Sequence, residues 1–159
     1  MSWKIVMLRL GWMAWVMVGS ANLAWAAEGH EHAGHAAPVG LTLNHGKPWP
    51  TDAPLRQGMA AIRDALTDAL PGIHAGSYTG GQYASLADKA QEQVDFMVKN
   101  CQLPPEVDAQ AHQVLERILG GIGSLRGKED PAAGAVTLLQ ALNDYARHFD
   151  HPGWKPIPH

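Results

Sequence analysis

Between Leu55 and Phe149 the apolar residues recur every three or four positions in four separate stretches, each set off by proline or glycine. Side chains spaced this way fall on one face of an α-helix. A half-buried strand would need strict apolar–polar alternation, which no segment of the chain shows. Leu55, Met59, Ile62, Leu66 and Leu70 make the first stripe, opened by Thr51-Asp52-Ala53-Pro54 as cap and first turn and closed by Pro71-Gly72. Ile73 to Gly81 reads as a loop. Tyr83, Leu86, Ala90, Val94 and Met97 or Val98 then predict a second helix over about Gln82 to Asn100. Pro104-Pro105-Glu106 opens a third, striped by Val107, Ala111, Val114, Ile118, Ile122 and Leu125, with Gly120, Gly121 and Gly123 weakening its last turns. Asp130-Pro131 opens a fourth that runs to about Asp150, with Leu138, Leu139, Leu142, Tyr145 and Phe149 inward, and Pro152-Gly153 ends it. Four amphipathic helices on short connections predict an all-α, up-down-up-down four-helix bundle over residues 51–151, followed by a short tail at 152–159.

The chain ahead of the bundle has a different character. Residues 1–26 carry Lys4 and Arg9, no acidic residue, an apolar run from Leu10 to Val18, and small residues ending in Ala24-Trp25-Ala26. This is the layout of a secretory signal peptide, and the run is too short for a bilayer span of about 20 residues. The expected location is therefore periplasmic or secreted, with no stable membrane insertion after cleavage. Residues 27–50, rich in Ala, Gly, Pro and His and without apolar periodicity, predict a disordered His-rich arm.

Charge and motifs narrow the function. The formal charge of the chain is −3, and loss of Lys4 and Arg9 with the signal leaves −5, which argues against nucleic acid, whose phosphates need a basic face. G-x-S-x-G, H-E-x-x-H and a glycine-rich loop after a strand are all lacking, so a non-enzymatic role is expected. Cys101 is the chain's single cysteine and has no intrachain disulfide partner.

In an up-down-up-down bundle, the start of the first helix, the end of the second, the start of the third and the end of the fourth share one end. Met59, Met97, Cys101, His112, His148 and His151 all fall there, with His45 on the segment that enters at that end. Thioether, thiolate and imidazole together suit copper, whereas imidazole and carboxylate alone would also suit zinc or nickel. The N-terminus of the third helix is expected to favour the Cys101 thiolate. The plainer readings are that Met59 and Met97 are core filler, that each histidine is a boundary polar group, and that Cys101 is an inert buried thiol. Separately, His30, His32 and His35 in the arm form a chelating group for Cu, Ni or Zn ions, the alternative being a solvated linker.

The opening Leu55, Met59, Ile62 and Leu66 resembles that of the small periplasmic four-helix cytochromes, the soluble b-type cytochrome and the cytochrome c-prime group. The resemblance covers the bundle plan and the first helix. It implies a four-helix fold and an envelope location and, by analogy with the b-type member, haem b held by Met59 and a histidine near the end of the last helix, for which His148 is the candidate. Matching Tyr145 and Phe149 to the family's closing aromatics places Ala146 at that axial position, and the C-x-x-C-H motif of the c-type members is lacking. Three expectations therefore stand: a copper-binding or copper-handling protein, a haem b electron carrier, and a cofactor-free module that docks another envelope protein through exposed Trp49 and Trp154.

Overall fold

The computed structural model describes residues 40–157, and the expected signal segment, with His30, His32 and His35, lies outside them. Four helices follow one another: α1 (Ala53–His74), α2 (Gly80–Asn100), α3 (Pro105–Leu125) and α4 (Pro131–His148). Each packs on the next, and α4 returns to α1, which closes the bundle. The stripes point inward: Met59, Ile62, Leu66, Met97, Val114, Ile118, Leu138 and Leu142 have no exposed surface. Of the two candidates at the end of the second stripe, Met97 is core and Val98 is 69% exposed.

Local chemistry explains most boundaries. Asp52 caps α1 by accepting the Leu55 N–H at 2.8 Å, and Asp130 caps α4 through the Ala133 N–H at 3.1 Å. At α2, Thr79 and Gln82 form a reciprocal capping box, so the helix starts at Gly80, ahead of the expected Gln82. Pro71 does not end α1, which continues to His74. A proline lacks one donor, but this late in the helix it forfeits only the bond to Thr67, while its own carbonyl accepts the Ala75 N–H at 3.1 Å. The last turns of α3 stay helical, and one of the three glycines is used for packing. Gly121 faces Gly134 of α4, where a Cβ would stand 2.7 Å from the Gly121 carbonyl oxygen, so the two backbones meet at van der Waals distance.

The two ends of the described chain correct the expected picture. Residues 40–50 are not a free arm. The Asn44–Lys47 turn, with His45 and Gly46 both at positive φ, leads into Trp49, which makes a parallel bridge with Phe149. The Trp49 N–H donates to the His148 carbonyl at 2.7 Å, and the Asp150 N–H donates back to Trp49 at 2.8 Å. This pairing draws Phe149 into extended backbone and ends α4 at His148, short of the expected Asp150. Trp49 is 9% exposed, its indole N–H bound to the Thr42 carbonyl at 2.6 Å. Trp154 packs on the core and lies beneath the Arg63 guanidinium, 5.0 Å from the ring centre. Neither tryptophan stands fully exposed as expected, Trp49 being buried and Trp154 half-buried: an indole next to an open apolar bundle end gains more by covering it than by facing water. Ile157 of the tail is buried as well.

Candidate functional site

At the end of the bundle where α1 starts and α2 stops, a small pocket opens between α2 and α3. Met97, Cys101, Asp108 and His112 line it, with Leu55, Leu103, Ala111 and Leu115 as apolar walls and Val98 at the rim. The donors arrive in two helical pairs. Met97 and Cys101 lie one turn apart, joined by the Cys101 N–H to Met97 carbonyl bond at 2.9 Å, and Asp108 and His112 lie one turn apart on the facing helix.

Met97 supplies a thioether with no exposed surface. It fits there because Gly58 on α1 carries no side chain: a Cβ at that position would stand 2.4 Å from Met97 Cγ and 2.6 Å from Sδ. His112 is the opposite case, with its side chain 61% exposed. Its Nδ1–H donates to the Asp108 carbonyl at 2.9 Å, and the Asp108 carboxylate lies 3.4 Å from the same nitrogen. A carbonyl only accepts, so the neutral ring carries its proton on Nδ1 and its lone pair on Nε2, the tautomer that a metal-ligating imidazole adopts.

Cys101 departs from expectation. Its thiol is pushed up to about 12, first by burial, then by the charge and hydrogen bonding of Asp52 and by the charge of Asp108. The N-terminus of α3 does not favour a thiolate here, because desolvation and two carboxylates all act against it. Asp52 holds this corner together: Oδ1 accepts from Leu55 and Oδ2 from the Gln102 N–H, each at 2.8 Å, so one carboxylate ties the start of α1 to the residue after Cys101. Asp52 was legible as a helix cap but not as the neighbour of the thiol. Asp108 gave a fainter signal, its position four residues before His112.

Compared with protein-family models, curated proteins and solved structures, the chain finds no match.

The remaining candidates do not join the pocket. Met59 is wholly buried in the core. His45 is exposed in the Asn44–Lys47 turn. His148 turns its Nδ1–H to the Asp144 carbonyl at 2.7 Å. His151 Nδ1 shares a 2.9 Å hydrogen bond with the Tyr145 hydroxyl, and the ring packs edge-on against Tyr145 and Trp154. Burial, Arg56 and Arg63 lower the His151 pKa, with Asp150 opposing, so the neutral ring that can accept this bond is the favoured form. Tyr145 is raised by burial, with Asp52, Cys101 and Asp150 adding to it and Arg56 opposing. One end of the bundle therefore carries two clusters: thioether, thiol and imidazole between α2 and α3, and a Tyr–His–Trp cluster under α4 and the C-terminal segment. Among the described residues, no three His, Cys, Asp or Glu side chains form a group that could hold a metal ion, and Met97 lines the pocket beside Cys101 and His112.

Proposed function

We propose that this chain is a non-enzymatic periplasmic or secreted protein that binds and hands on a soft transition metal, copper, at the α2–α3 pocket. The observation that carries the reading is that Met97, Cys101 and His112, three side chains of the types soft metals select, line one pocket at one end of the bundle. The surroundings suit the task. His112 has its Nε2 lone pair on an exposed side chain, Asp108 orients the ring from behind, and apolar walls limit competition from water. His30, His32 and His35, upstream of the described residues, would serve as a capture group feeding the pocket. No described helix is long and apolar enough to cross a membrane.

The test is retention of copper by a chain starting at Leu41, which lacks the arm histidines but keeps the pocket. Binding to the folded state alone stabilises it by about 2.7 kcal/mol when free metal is a hundredfold above its dissociation constant, so melting should shift upward by several degrees. If added copper leaves both the melting curve and the absorption spectrum unchanged, the reading fails.

A further inference from the structure

We infer that the α2–α3 pocket is built for a monovalent d10 cation, Cu(I) or its analogue Ag(I), bound by Met97 Sδ, Cys101 Sγ and His112 Nε2 in a three-coordinate set. This inference rests on the metal-binding reading above and goes beyond it by assigning charge, coordination number and donor atoms.

The carboxylates decide the matter. A divalent zinc site wants four ligands, and Asp108 or Asp52 would be the natural fourth. Asp108 lies on the Nδ1 side of the His112 ring, at 3.4 Å, while the lone pair leaves from Nε2 on the far side, so it supports the imidazole without sharing its metal. Asp52 is tied to the Leu55 and Gln102 amides, one through each oxygen, and also accepts from the Cys101 thiol. Recruiting it would uncap α1 and loosen the corner that holds Cys101.

What remains is two sulfurs and one nitrogen. A thioether is a poor ligand for hard or borderline divalent ions and a good one for Cu(I). Met97 is dry and packed against Gly58, so its sulfur is desolvated before any ion arrives. Charge agrees. Binding proceeds as Cys–SH plus M⁺ giving Cys–S–M plus H⁺, with the proton leaving to solvent, and the resulting unit of one thiolate and one monovalent cation is neutral. His112, exposed at the rim, is the ligand that can swing out to exchange the ion with a donor.

The experiment uses the full chain carrying His30→Ala, His32→Ala and His35→Ala, so that only bundle sites report. Cu(I) is titrated under reductant against a chromogenic Cu(I) chelator, Ag(I) by competition with it, and Zn(II) against a zinc indicator. The expected result is one Cu(I) or Ag(I) per chain, bound at least a hundredfold more tightly than Zn(II). Met97→Leu should weaken Cu(I) at least tenfold without altering Zn(II), while Asp108→Asn changes Cu(I) affinity by less than tenfold. Zn(II) binding as tight as Cu(I), or a Cu(I) affinity indifferent to Met97→Leu, overturns the inference and leaves a metal-binding protein of another type. If Cu(I), Ag(I) and Zn(II) all fail to bind, the proposed function falls with it.

Discussion

Met97 occupies the space that a side chain on Gly58 would need: a Cβ there would stand 2.6 Å from its sulfur. In a helix interior, alanine normally stabilises over glycine by about 1 kcal/mol. Here the clash should win, since over-packing typically costs about 1–3 kcal/mol. Gly58→Ala is therefore expected to lower the urea midpoint and to weaken Cu(I) binding together, because the displaced atom is the thioether itself. A variant as stable as the parent, with unchanged affinity, would place the Met97 sulfur elsewhere.

The crossing of α3 and α4 should be less forgiving. At Gly134 a Cβ would meet Leu125 N at 2.5 Å and the Gly121 oxygen at 2.7 Å, backbone atoms that cannot rotate aside. Gly134→Ala should cost about 3 kcal/mol. Gly120, one residue from the contact, is exposed with open space around it, so Gly120→Ala should stabilise by about 0.5–1 kcal/mol. Thermal melts that moved the two variants in the same direction would contradict this packing.

Asp52 should control the reactivity of Cys101. The carboxylate raises the thiol pKa both by its charge and by accepting a hydrogen bond. Asparagine at 52 keeps one capping oxygen but removes the charge and sets its NH2 against the Gln102 N–H, so Asp52→Asn should speed alkylation of Cys101 at pH 8 while costing about 1 kcal/mol of stability for the lost hydrogen bond. Because the folded pKa lies above the ordinary value of 9.0, the native state keeps a proton that the unfolded chain gives up. The associated stability is complete below pH 9 and is lost as pH rises from 9 toward 12. Cys101→Ser should flatten that alkaline decline in chemical denaturation measured across the range.

His151 has the opposite sign. Its folded pKa is depressed, so the unfolded chain takes up the proton first, and the stability contributed by the neutral ring is present above 6.5 and lost as pH falls below it. Protonation leaves Nδ1 able only to donate in its hydrogen bond with the Tyr145 hydroxyl, which ties the C-terminal segment to α4. His151→Phe should remove that hydrogen bond at pH 7.5 and also flatten the stability decline between pH 7 and 5. Hydrogen exchange of the Trp154 amide, bound to the His151 carbonyl at 3.1 Å, would follow the same event locally. An acid slope unaltered by the substitution would assign it to other groups.

The helices were legible because helix formation is written in spacing. A 3.6-residue period puts Leu55, Met59, Ile62 and Leu66 on one face whatever packs against them, and Asp52 and Asp130 announce their helices through a three-residue bond. Connectivity then brought Met97, Cys101 and His112 to a common end. What spacing could not decide was which donors would face one another, since that depends on how each helix is rotated and what closes the bundle end. Met59 and Met97 look alike in sequence, yet the missing side chain of Gly58 and the break at Cys101 leave only Met97 on the pocket. Trp49, His148 and His151 were diverted by the return of residues 40–50 onto Phe149, a contact between positions 100 residues apart that no local pattern encodes. The protonation of Cys101 was decided in the same way: the dipole of α3 is local and visible in the sequence, but burial and the Asp52 carboxylate are tertiary, and together they outweigh it.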